Sequence, residues 1–250
     1  MRERPRVLKL IVVLIAILVI GLATAAYRVH KNADALWQII SQKCVPGQRQ
    51  GNPAPCQRVD MAQGYVILKD LVGPLQYLLM PIDKITGMES PRILDPQTPN
   101  FFAEAWQQRS LLAQRHGTAI ADSALSLAIN SKYGRTQNQL HIHISCLRRD
   151  IRQRLDTLTP ALNTRWQAEK LGSHTYLVRT LSAEELAQQS SFIRLADEVP
   201  HARGEMGKYG MALARLPDGR LALMAIESHW LKLNRGSAEE LQDHQCAILN

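Results

Sequence analysis

Asn130-Ser-Lys-Tyr-Gly-Arg-Thr-Gln-Asn-Gln-Leu-His-Ile-His-Ile-Ser145 is the stretch around which the rest of the 250-residue chain is organised. From Gln139 onward polar and apolar residues alternate. As a strand, the segment puts Gln139, His141, His143 and Ser145 on one face and Leu140, Ile142, Ile144 and Cys146 on the other. The apolar face is for packing, and the polar face is a row of groups that can carry protons or attack an electrophile. An imidazole is largely uncharged near neutral pH, so one histidine can serve as nucleophile while the other handles a proton. Two imidazoles at alternate strand positions also suit a metal ion. Cys146, however, has the opposite parity and cannot complete such a set. Leu125, Leu127 and Ile129 alternate as a strand feeding Asn130, so an antiparallel pair is expected, joined by a loop over residues 131–136.

The segment resembles the signature of the histidine-triad superfamily, in which an Asn ends one strand, a Gly-containing turn follows, and a Gln precedes a His-x-His-x-His strand. Asn130, Gly134, Gln137, His141 and His143 stand at that spacing, with Asn138 after Gln137 and Ser145 in the third histidine position. Counting from Gln139 as the first position would misplace both Asn130 and Gln137, so His143 is the middle residue. Upstream, residues 64–85 are similar to the superfamily's preceding strand pair. Asp70 falls at a ribose-contacting position there, and Gln76 replaces a supporting histidine. Within the superfamily the pattern is most similar to the CDP-diacylglycerol pyrophosphatase family. The matching stretches are Leu-Leu-Met-Pro-Ile at 78–82, Gly-Met-Glu-Ser-Pro at 87–91, Asn-Phe-Phe at 100–102 and Gln-Leu-His-Ile-His-Ile at 139–144.

The resemblance runs from about residue 44 to residue 250. It implies an α+β fold, a histidine-triad-like antiparallel sheet with flanking helices, working without a cofactor. It implies that His143 attacks the nucleotide-side phosphorus of CDP-diacylglycerol while His141 orients it. Asp70, Gln76, Asn130, Gln137, Asn138 and Ser145 would contact substrate, the last with the leaving-group role of a third histidine open. The alternatives are a hydrolase or transferase of the same superfamily acting on a water-soluble nucleotide or dinucleotide, or a non-catalytic envelope protein that binds lipid or nucleotide.

Residues 10–27 carry no charge, and as a helix they would rise about 27 Å, close to the thickness of a bilayer core. Arg2, Arg4, Arg6 and Lys9 precede them, which keeps this end in the cytoplasm. The expected layout is a cytoplasmic tail and membrane anchor over 1–28, then a periplasmic catalytic domain with a C-terminal extension over 29–250, single-pass in a bacterial inner membrane. A cleaved signal peptide is the competing reading, with Ala23-Thr24-Ala25 as cleavage site. Four cysteines on an exported body suggest two disulfides. Cys44 and Cys56 flank a Pro/Gly-rich loop and would pair, leaving Cys146 with Cys246, one of three connectivities.

The net charge of +8 is partly the tail's, and only 5% of residues are aromatic, with no basic run interleaved with them. That pattern argues against nucleic acid, whereas a mild positive excess suits an anionic bilayer or substrate. Asn32 is expected to cap a helix ending near Cys44, and strands are expected at 64–69 and 75–80. A helix should run from Pro99 to Gln114, with Phe102, Trp106 and Leu112 as core. Ser182-Ala-Glu-Glu and Ser237-Ala-Glu-Glu each read as a helix start, and residues 209–216 and 220–226 as a hairpin. His174, His201, His229 and His244 match no motif and read as structural or solvated.

Overall fold

A computed structural model describes residues 9, 11–21 and 33–250. From Cys56 the chain builds ten strands: β1 (Cys56–Asp60), β2 (Tyr65–Lys69), β3 (Tyr77–Pro81), β4 (Leu125–Ile129), β5 (Ile142–Leu147), β6 (Gln167–Leu171), β7 (His174–Leu181), β8 (Tyr209–Arg215), β9 (Leu221–Glu227) and β10 (Gln242–Asp243). They form one sheet in the order β1-β2-β3-β5-β4-β8-β9-β7-β6, with β10 added to the far half of β5. Every pairing is antiparallel. The fold is thus the expected α+β arrangement of a large antiparallel sheet with helices around it.

Period-two alternation sends the two halves of each strand's side chains to opposite faces. On one face Tyr65, Leu79, Ile144, Leu127, Leu213 and Leu223 meet Phe101, Phe102, Trp106, Phe192 and Leu195 in one continuous core. Two short helices, Phe101–Gln107 and Ser110–His116, supply part of that cover, so the single helix expected over 99–114 is broken at Gln108 and Arg109. Asn100 caps the first through Ala103 N, and Gly117, at φ +85°, ends the second as a left-handed cap.

The opposite face has two separate covers. Ile151, Leu155 and Leu158 of helix Arg149–Leu158 lie on the small side chains Ala128, Ala212, Ala214 and Ala222, which give the helix room to settle. Ile40 and Cys44 lie on Val66, Leu68, Leu78 and Met80. The segment that supplies them starts at Ala35 under Asp34, runs through a π-helical turn at Ile40–Cys44 and ends at Arg49, so it passes Cys44 instead of stopping there. Its expected cap, Asn32, lies outside the described residues. His143 sits between the covers, since its cross-strand partners are Leu78 under one and Ala128 under the other.

The disulfides are Cys44–Cys56 and Cys146–Cys246, the connectivity expected. The helix start at Ser182 is a full capping box with Glu185. The one at Ser237 is not: only a 3-10 turn, Ala238–Leu241, forms and Ser237 caps nothing. The hairpin β6–β7 was not anticipated, because Gln-Ala-Glu-Lys in β6 carries no apolar alternation; β6 is an edge strand. The expected membrane span over 10–27 falls partly outside the described residues. Residues 11–21 are helical with exposed apolar side chains, and among the described residues no helix is long and apolar enough to cross a membrane.

Candidate active site

The ladder of β5 begins only at Ile142, yet the parity read from sequence extends back to Gln139. Gln139, His141, His143 and Ser145 are all buried. Gln139 donates from Nε2 to the carbonyls of Pro81 (2.9 Å) and Asp83 (3.0 Å), which substitutes for a missing strand partner. His141 Nδ1 lies 2.6 Å from the Gln139 carbonyl. A carbonyl only accepts, so the proton of the neutral ring is on Nδ1 and Nε2 carries the lone pair. Burial, then the neighbouring His143, push His141 down to about 4, so it is neutral at physiological pH. The two rings stand edge-on, centroids 5.0 Å apart.

His143 is reached by two arms. The first comes from the β2–β3 turn, where Gln76 Nε2 is 3.2 Å from His143 Nδ1 and 2.6 Å from Asp70 Oδ2. The second comes from the C-terminal segment, where Glu239 Oε1 is 3.3 Å from the same Nδ1. Glu239 is held by Asn130, whose Nδ2 donates to Oε2 at 2.8 Å and whose Oδ1 accepts from the Glu239 backbone N–H (3.1 Å) and Ser237 Oγ (2.9 Å). His244 Nε2 lies 3.2 Å from Glu239 Oε1. Burial works against a charged Glu239, but His244, His143 and Asn130 together overturn it and hold the carboxyl down to about 2. His244 is in turn raised by that hydrogen bond, and burial pulls His143 below its ordinary value.

The tautomer of His143 follows from a competition. A Gln76 N–H aimed at Nδ1 favours a proton on Nε2, whereas the Glu239 carboxylate favours one on Nδ1. An ionised acceptor makes a hydrogen bond roughly twice as strong as a neutral pair does. The Glu239 carboxylate, 3.3 Å from Nδ1, favours the tautomer with the proton on Nδ1 and the lone pair on Nε2. That Nε2 is buried with no hydrogen-bond partner among the described residues. Gln76 Oε1, Ser145 Oγ, Gln242 Oε1 and His244 Nδ1 share that condition. Each orphaned polar atom costs about 1–3 kcal/mol, so a cluster of them marks a place kept for something other than stability.

Ser145, in the third-histidine position, faces Ser126 across the ladder. Gln242 bonds the carbonyls of Ser126 (3.1 Å) and His143 (3.3 Å) from above. The two arms touch through backbone. Gly73 sits at φ +68°, and a Cβ there would fall 2.1 Å from the His244 carbonyl oxygen. Gln137 and Asn138 are placed differently from the other six expected residues: Gln137 Oε1 accepts from Leu36 N (3.2 Å) and Asn138 N donates to the Ala33 carbonyl (2.6 Å), tying the signature loop to the N-terminal helix. Arg135 of that loop makes a paired bond to Glu89, both contacts 2.6 Å, which explains the Gly-Met-Glu-Ser-Pro stretch as a buttress.

Sequence reasoning missed Glu239, Gln242 and His244. His244 was read as structural or solvated, and Ser237-Ala-Glu-Glu as a helix start. The structure corrects the second, because Ser237 Oγ and the Glu239 carboxylate and backbone N–H are bonded to Asn130; His244 makes a structural contact to Glu239. Glu240 is likewise taken, by His174 (2.8 Å) and Tyr176 (2.7 Å). Among the described residues no group of three or more His, Cys, Asp or Glu side chains is placed to hold a metal ion. A surface cavity of about 890 Å³ lies beside Tyr133, Trp230 and Arg235 and not on His143. The family model for CDP-diacylglycerol pyrophosphatase matches residues 31–250, and with nearly the whole body covered, histidine row and arms included, the chain belongs to that family of hydrolases.

Proposed function

We propose that the protein hydrolyses CDP-diacylglycerol to CMP and phosphatidate through a covalent nucleotidyl-histidine on His143 Nε2. The observation that carries this is the buried Nε2, without a hydrogen-bond partner among the described residues, on a ring whose Nδ1 faces the Glu239 carboxylate at 3.3 Å. In the first step the Nε2 lone pair forms a bond to the cytidylyl phosphorus, and the bond from that phosphorus to the bridging oxygen breaks. Phosphatidate leaves with the electron pair. The ring becomes cationic, and the Glu239 carboxylate stabilises the charge where it develops. A phosphate leaving group is itself a stable anion, which lessens the demand for a protonated third histidine where Ser145 stands.

In the second step water attacks the same phosphorus, the P–N bond breaks back to Nε2, and CMP is released. His141, neutral with its lone pair on Nε2, suits the role of taking the water's proton. Asn130 serves through Glu239, and Asp70 through Gln76. An uncleaved anchor over 10–27, with the body on the periplasmic side, would keep the site at the surface that holds the lipid. Exposed apolar side chains from Ile11 to Ile20 and the two disulfides support that placement.

The test is acid quench during turnover of CDP-diacylglycerol with chelator present, followed by peptide mass spectrometry. A cytidylyl adduct on the peptide carrying His143, with CMP and phosphatidate as products, is the expected result. Steady turnover with no adduct at any quench time would favour direct attack by water.

A further inference from the structure

The hairpin over residues 229–235 displays its largest apolar side chains to solvent: Trp230 is 81% exposed, Leu231 69% and Leu233 90%. The hairpin is nevertheless well defined. His229 and Asn234 exchange both backbone hydrogen bonds, at 2.8 and 3.1 Å, and the buried Asn234 side chain bonds the Glu227 carbonyl (3.0 Å) and Gly236 N (2.7 Å). Leu233 is held at φ +53°, a left-handed conformation that a leucine adopts only under constraint. Three apolar groups held out at a backbone cost need a partner that repays it.

Position and charge name the partner. β4 and β9 end, and β5 and β8 begin, at the end of the sheet that holds Asn130, and the hairpin follows β9 there. The described body begins at the same end, where the Ala33 carbonyl accepts from Asn138. Beside the apolar trio stand the exposed cations Lys232 and Arg235 and the half-exposed ring of Tyr133; Lys208 is paired with Glu205, and Glu227 is a nearby exposed acid. An apolar tip with Trp and Tyr in a basic collar matches the interface of an anionic bilayer.

We infer that residues 229–235 are a bilayer-contacting finger, which sinks Trp230, Leu231 and Leu233 into an anionic lipid surface and holds the Asn130 end of the sheet against it. The finger is coupled to the site, because the Arg235 carbonyl accepts from Ser131 Oγ (2.5 Å) and Arg235 Nε donates to the Tyr133 carbonyl (2.8 Å). Four residues beyond Arg235 is Glu239. The inference rests on the proposal that substrate is drawn from a bilayer, but its first readout is lipid contact and not turnover.

The rival surface is the β2–β3 turn at the other end of the sheet, where Leu71 is fully exposed and Val72 half so. In the oxidised full-length protein, Leu233→Cys and Leu71→Cys would each carry an environment-sensitive nitrobenzoxadiazole label. Vesicles of phosphatidylglycerol and phosphatidylcholine should blue-shift the label at 233, with quenching by shallow spin-labelled lipid, and leave the label at 71 unchanged. No shift at 233, an equal shift at 71, or the same response with phosphatidylcholine alone would overturn the finger. Replacing Trp230, Leu231 and Leu233 together by Ser should lower turnover of vesicle-borne substrate about tenfold or more, with water-dispersed short-chain substrate within about twofold of wild type. Equal loss on both substrates would also overturn it. If no substrate is turned over at all, the proposed function fails while the label still decides the finger.

Discussion

Glu239 Oε1 lies 3.3 Å from His143 Nδ1, so the C-terminal segment brings a carboxylate to a ring in the middle of the sheet. The consequence is chemical, because a neutral imidazole has one lone pair, and under the proposed mechanism a proton on Nδ1 leaves Nε2 free to attack.

Glu239→Gln is expected to lower kcat about 10²–10⁴-fold with little change in KM, because an amide no longer forces the proton onto Nδ1. The protein should stay folded, since Asn130 and Ser237 remain to hold the segment. Steady-state kinetics beside circular dichroism checks this. A kcat within about twofold of wild type would remove Glu239 from the mechanism.

His143→Ala should abolish turnover and leave no nucleotidyl adduct. His141→Ala should slow the reaction strongly yet allow adduct to build up, since the attacking atom remains while release by water is impaired. Rapid quench with mass spectrometry separates the two. An adduct on His141, or one surviving in His143→Ala, would reverse the assignment.

The acid limb of kcat should lie below pH 6.5, because burial holds His143 below that ordinary value and Glu239 stays ionised down to about 2. A limb centred at or above 6.5 contradicts the buried nucleophile. Stability has a related dependence. His141 has a depressed folded pKa of about 4, so as pH falls from 6.5 the unfolded chain takes up a proton that the folded chain refuses. Folding should lose up to about 3 kcal/mol from this residue between pH 6.5 and 4, and nothing more below. Denaturant midpoints at both ends of the window, for wild type and His141→Asn, test it. An equal fall in both proteins would assign the effect elsewhere.

Removing the Cys146–Cys246 bond by Cys→Ser at both positions should cost about 2–5 kcal/mol and impair activity further, because the bonded segment carries Glu239, Gln242 and His244. Removing Cys44–Cys56 should destabilise while leaving kcat of the folded fraction near normal. Activity measured well below the melting temperature distinguishes these outcomes. Equal effects on kcat would argue that the C-terminal segment is only a cover.

Alternation made the histidine strand legible, since Gln139, His141, His143 and Ser145 could be assigned one face from spacing alone. The same holds for β4 and the β8–β9 hairpin, and helical spacing did as much for the aromatic core at Phe102 and Trp106. The second arm of the site was hidden for a physical reason. Ser237-Ala-Glu-Glu has a strong local preference for starting a helix, and the long-range hydrogen bonds to Asn130 override it. His244 gave no signal either, because an isolated histidine has meaning only through the carboxylate that it meets. Gln137 was picked out by its spacing alone, and spacing gave no sign that its Oε1 accepts from Leu36 N.

The backbone contact at Gly73 bears on how this site tolerates change. Side chains yield by switching rotamer, but a main-chain carbonyl pressed on a glycine has no such slack. The gap between the Gln76 arm and the Glu239 arm is therefore gauged by peptide units and not by whichever side chains surround them. Substitutions nearby should leave the spacing at His143 intact, whereas one added methyl at position 73, or one residue inserted in the turn, would reset it.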